Sequence, residues 1–140
     1  MDDPVTQPIT LGPGEGEQVG TRNAVKAARP ELSLIEFDVR PGGGVAPHFH
    51  KGHSDSFYVL EGEVEFHVGD EVVQGTPGTY VLAPPNVVHF FRNVSGESAK
   101  LLNLHTPGGF VDYQRELAAL RAQGIEPDDA FFERHDVFDV

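Results

Sequence analysis

The sequence contains no cysteine and no tryptophan, and only one methionine in 140 residues. Without cysteine there are no disulfides, no thiolate metal ligands and no cysteine nucleophile. Positive charge is also scarce, with 10 Lys and Arg against 22 Asp and Glu and a net charge of -12. So few cations leave no basic patch to neutralise phosphates or an anionic bilayer surface, so neither nucleic acid nor a membrane is expected as a partner. No run approaches the roughly 18 apolar residues a membrane helix needs. The start, Met1-Asp2-Asp3-Pro4-Val5-Thr6-Gln7, lacks the basic residues and apolar stretch of a signal peptide. The expectation is a soluble, cytoplasmic chain.

Turn formers are plentiful instead. Sixteen Gly and eleven Pro punctuate short runs of Val, Phe, Tyr and Leu, which points to an all-β domain. Strands are expected over 19–27, 32–39, 48–50, 57–60, 64–68, 71–74, 79–83, 88–93 and 99–105. Glu61-Gly62 and Gly69-Asp70 read as hairpin turns. The period then changes. Phe110, Tyr113, Leu117 and Leu120 recur three and four residues apart, so an amphipathic helix should run from after Gly109 to Gly124. Pro127-Asp128-Asp129 can start a second, short helix carrying Phe131 and Phe132. The domain reading is a flexible N-terminal arm over 1–18 with little to bury, in which Ile9 and Leu11 can form a short edge strand or a contact with a partner chain, a β-barrel over 19–106 and a helical tail over 107–140 packed on the barrel. Many short antiparallel strands favour a closed barrel or a jelly roll.

Four residues carry a metal-binding pattern. His48 and His50 are two apart, so on a strand they share one face about 6.6 Å apart. Asp55 follows across the Lys51–Ser54 link, and His89 lies beyond Pro84-Pro85-Asn86. Three imidazoles and a carboxylate suit one divalent transition metal (Fe, Mn, Ni, Co, Cu or Zn) better than calcium or magnesium. Ligands on facing strands would point into a pocket lined by Phe57, Val59, Phe66 and Phe91.

These residues resemble the cupin family. The first cupin motif, G-x5-H-x-H-x(3,4)-E-x6-G, is met by Gly42, His48, His50, Asp55 and Gly62, with Asp in place of Glu. The second, G-x5-P-x-G-x2-H-x3-N, is met by Gly78, Pro84, Asn86, His89 and Asn93, with Asn in place of the internal Gly. The resemblance implies a cupin-type jelly-roll barrel holding one divalent metal on His48, His50 and His89, with Asp55 at the carboxylate position. The helical tail is similar to that of single-domain bacterial cupins called quercetin 2,3-dioxygenase-like. Asp55 is one methylene shorter than the family's glutamate. It can ligate directly, act through a water, or orient a ligand histidine from behind; unligated, it is free to act as a catalytic base.

The implied activity is a metal-dependent dioxygenase acting on a flavonol, diketone or other enol or aromatic small molecule. A non-redox isomerase or cyclase using the same metal, and a binding barrel without turnover, are the rival readings. Of the remaining histidines, His53, His67 and His135 read as solvated, and His105 as a residue near the end of the last strand with a pocket role open to it. A homodimer is expected.

Overall fold

The computed structural model describes residues 7–140. Its elements are β1 (Glu17–Val19), β2 (Asn23–Ala28), β3 (Ser33–Val39), β4 (Gly44–Phe49), β5 (Ser54–Glu61), β6 (Val64–Val68), β7 (Glu71–Gly75), β8 (Tyr80–Ala83), β9 (His89–Arg92), β10 (Ala99–Thr106), α1 (Phe110–Ala122), α2 (Asp129–Arg134) and β11 (Phe138–Asp139). One antiparallel sheet has the order β1-β2-β3-β10-β5-β8 and the other β11-β4-β9-β6-β7. Two facing antiparallel sheets with helices only at the end form the expected jelly-roll barrel and its tail. Neither helix is long and apolar enough to cross a membrane.

The first six residues of the expected arm lie outside the described residues. Ile9 and Leu11 belong to no strand and stay exposed. Lys26 ties down the stretch that follows, its ammonium donating to the carbonyls of Gly12 and Glu15.

Period-2 alternation explains the barrel core. Val39, Phe57, Val59, Val64, Phe66, Val81, Phe91, Ala99 and Leu101 all point between the sheets and form one buried cluster. Each large member contributes about 1.5–3 kcal/mol on leaving water. A second cluster, Val19, Val25, Ile35 and Val111, fastens α1 across β1–β3. The helix therefore uses two faces: Val111 and Ala118 grip this sheet, while Phe110, Tyr113 and Leu117 turn towards the barrel mouth.

Two local features place the site. β4 pairs with β9 in one register at Gly44 and Val45, then slips by one residue before His48. The slip falls at Pro47, which has no N–H to give the ladder, and it sets His48 directly opposite His89. At Gly44 (φ 155°) a Cβ would lie 2.1 Å from the Phe91 carbonyl, so only glycine lets the two strands approach here. The second feature is the Pro84-Pro85-Asn86 turn. Asn86 has φ 72°, in the left-handed region that Asn tolerates better than other side chains. This accounts for Asn where the motif has Gly. Its N–H donates to the His50 carbonyl at 2.6 Å, clamping the turn before His89 onto the end of β4.

Candidate metal centre

Asp55 lies at the middle of the site and is 3% exposed. Its Oδ2 is 3.2 Å from His50 Nε2 and 2.8 Å from His89 Nε2. Its Oδ1 accepts from Asn103 Nδ2 at 2.6 Å, with His105 Nε2 at 3.4 Å. His48 completes the group, its ring 4.9 Å from that of His50 and 4.4 Å from that of His89. One nitrogen or oxygen from each of His48, His50, Asp55 and His89 lies within 4.8 Å of the other three.

The other edge of each imidazole is spoken for by backbone. His48 Nδ1 faces the Ala46 carbonyl at 2.8 Å, His50 Nδ1 the Asp136 carbonyl at 2.7 Å, and His89 Nδ1 the Val87 carbonyl at 3.0 Å. A carbonyl oxygen only accepts, so each Nδ1 carries a hydrogen and each Nε2 of the neutral ring is a bare lone pair. Three lone pairs and a carboxylate then converge with nothing between them but each other. Such a donor set fits a divalent cation, and outer partners of this kind are what fix a ligand histidine's tautomer and orientation.

Electrostatics follow from that geometry. Burial pushes His48 down to about 4, with repulsion from His89 adding to it. Burial likewise takes His105 down to about 3 and lowers His53. Burial opposes the ionised form of Asp55, yet His105, and His50 and His89 when protonated at Nε2, outweigh it and hold the carboxyl well below the usual range. At His89 burial again pulls down, but the hydrogen bond to Asp55 and its charge win and the group is raised.

A cavity of about 630 Å³ opens over this group. His48, His50, Asp55, Phe57 and Phe91 border it, with Phe110 and Tyr113 of α1. Val59 and Phe66, expected on the pocket wall, are instead in the closed core, 0% and 1% exposed. Alternation aims both inward as anticipated, but they sit among Val39, Val64 and Leu101, which fill that end of the barrel.

The tail supplies what the sequence reading did not. β11 pairs with β4 and brings Asp136 over the Lys51–His53 link. The Asp136 carboxylate accepts from the N–H groups of Lys51 and Gly52 and from His53 Nδ1, at 2.7, 2.8 and 2.7 Å. His53 is consequently 8% exposed rather than solvated. His105 is 2% exposed, with its ring stacked on Phe110 at 3.9 Å. His135 also differs from its solvated reading, packing against Tyr113 and Phe131. His67 is half-buried, beside Glu65 and stacked on Phe90. Asn103 drew no attention in the sequence, although its place two residues before His105 on β10 puts both on the inward face.

The fold and the cluster together define a class, and the sequence comparison agrees. The cupin domain model matches residues 35–105, and the chain belongs to that family. It is 26% identical over 117 residues to quercetin 2,3-dioxygenase of Bacillus subtilis, a match covering 79% of this chain and 34% of that protein. It is 32% identical over 74 residues to quercetin 2,3-dioxygenase of Aspergillus japonicus, covering 49% of this chain and 21% of that one. The chain thus spans about a third of the first relative's length and a fifth of the second's. An RmlC-like cupin from Shewanella frigidimarina superposes with a TM-score of 0.62 at 24% identity, over 74% of this chain and 93% of its own, and shares the fold.

The pH dependence of the metal-free protein follows from the shifts. His48 and His105 have folded values below the ordinary 6.5, so the unfolded chain binds more protons as pH falls from there. Stability should be full above about pH 6.5 and decline towards pH 4. Asp55 adds to the loss at still lower pH, and the raised His89 opposes it only near and above neutrality. Thermal unfolding of chelator-treated protein at pH 7.5 and 5 should show the lower midpoint at pH 5; an equal or higher one contradicts these assignments.

Proposed function

We propose that the chain is a metal-dependent cupin dioxygenase acting on an enol, diketone or flavonol-type small molecule. The observation that carries this reading is the set of three Nε2 lone pairs, each fixed by an Nδ1–H to a carbonyl, meeting Asp55 at the floor of an aromatic-walled cavity. His48, His50 and His89 would hold the ion, with Asp55 as the fourth donor through Oδ2. A bound iron, manganese, nickel, cobalt or copper ion supplies Lewis acidity towards an enolic oxygen and a partner for dioxygen.

The remaining chemistry belongs to the protein. Phe57, Phe91, Phe110 and Tyr113 provide a flat apolar wall that binds an aromatic or conjugated substrate and excludes water. Asp55 is the acceptor for the substrate's hydroxyl proton. Held ionised by its neighbours, it is a weak base, suited to a hydroxyl whose acidity the site itself increases. Asn103 keeps Oδ1 occupied and so presents Oδ2 to the cluster. The two quercetin 2,3-dioxygenases support this substrate class, at identities that leave the individual compound to experiment.

Elemental analysis of untagged protein should find about one equivalent of a redox-active ion, absent from His50→Ala, and oxygen uptake should appear with flavonols or diketones. One equivalent of zinc without oxygen uptake would favour the non-redox reading, and no metal after reconstitution would refute both. The Asp136 carboxylate anchors the segment whose backbone carbonyl orients His50, so Asp136→Ala should loosen that carbonyl and weaken metal binding, by no more than the about 10–100-fold that outright loss of an outer partner brings. Competition against a chromophoric chelator measures this, and an unchanged affinity counts against the tail as a positioning element.

A homodimer is part of the proposal. Tyr58 and Tyr80 pair across β5 and β8, and with Leu82 they leave an exposed apolar face beside the sheet's edge strand. Light scattering should give twice the chain mass, reduced to the chain mass in Tyr80→Glu; a monomeric wild type rejects the dimer.

A further inference from the structure

Beside the first cluster lie two imidazole nitrogens with nothing to bind. His105 Nε2 is 3.0 Å from Asn103 Oδ1. The Asn103 amide donates through Nδ2 to the Asp55 carboxylate and the Ser56 carbonyl, so its Oδ1 is the acceptor and His105 Nε2 carries the hydrogen. His105 Nδ1 is therefore a lone pair. His53 Nδ1 donates to Asp136 Oδ2 at 2.7 Å, which makes its Nε2 a lone pair too. Among the described residues neither atom has a hydrogen-bond partner, and both are buried. The residues are 8% and 2% exposed.

The rings of His53 and His105 are tilted at 53° with centroids 4.8 Å apart, and His50 stacks on His53 at 4.1 Å. One nitrogen from each of His50, His53 and His105 lies within 4.8 Å of the other two. Phe110 closes the side towards α1, 5.2 Å from His53. Buried acceptors without a donor are costly, and these are held in place by purpose-built partners, Asp136 on one side and Asn103 on the other. Two carboxylates, Asp55 and Asp136, bracket the pair with negative charge.

We propose that His53 Nε2 and His105 Nδ1, beside His50, form a second metal site for a borderline ion of the zinc(II) or copper(I) kind. Copper(I) accepts two neutral imidazoles alone, and zinc(II) would complete its usual four positions with water or another small donor. The site adjoins the one invoked under the proposed function, whose ion takes the single lone pair of His50, and uses none of that site's ligands.

Zinc(II) titration of the chelator-stripped full chain, followed by calorimetry and equilibrium dialysis, tests this. Wild type should take up two equivalents and His53→Gln and His105→Gln one each, while His48→Ala keeps one. Saturation at one equivalent that is lost in His48→Ala and unaffected in the other two variants overturns the second site alone, and assigns the lone pairs to a water. No uptake at all overturns the first site as well. Should either Gln variant fail to fold by circular dichroism, long-range ¹H–¹⁵N spectra of the wild type decide. The second equivalent should shift His53 Nε2 and His105 Nδ1, and an unchanged spectrum rejects the proposal.

Discussion

A buried carboxylate among imidazoles that have already given away their protons is the constraint on which this structure depends. Asp55 lies in the interior, and among the described residues no Lys or Arg pairs with it. Its partners are nitrogens whose outer edges are committed to backbone carbonyls. Burying a carboxylate in this way is costly unless a cation meets it or hydrogen-bond donors surround it. The Gly44 approach, the slip at Pro47 and the Asn86 turn all hold the imidazoles where that cation is needed.

The carbonyls that fix the three rings come from different parts of the chain. Ala46 and Val87 are each two residues before the histidine they serve, so β4 and the turn before β9 orient His48 and His89 locally. His50 depends on Asp136, 86 residues away in the tail. That tail lies beyond the matched cupin segment, which ends at residue 105. The same residue secures His53 through its carboxylate. The tail thus couples its own docking to the geometry of the site, while α1 lends Phe110 and Tyr113 to the cavity wall.

Strands were legible from period-2 alternation because most have one face in the core, and the His48, His50, Asp55 and His89 cluster was legible because its spacings are short and fixed by two motifs. The departures have physical causes. Alternation tells which way Val59 and Phe66 point but not how far along the barrel axis they lie, so both were placed on the cavity wall. His53 looked like a loop residue because its burial comes from a chain segment more than 80 positions downstream. His105 needed α1 overhead to become buried, and Asn103 carries no pattern of its own. The two-residue strand β11 is too short to alternate and exists through its pairing with β4. The substitution of Gly by Asn at position 86 was visible at once, but its harmlessness depends on a φ of 72° that only the folded backbone reveals.

Anomalous diffraction from a metal-loaded crystal, recorded on both sides of the ion's absorption edge, tests the central claim most directly. A peak about 2.0–2.2 Å from Nε2 of His48, His50 and His89, with Asp55 Oδ2 towards it, is the predicted result. A loaded crystal with no peak among those nitrogens, or with the ion held elsewhere by surface carboxylates, would contradict it.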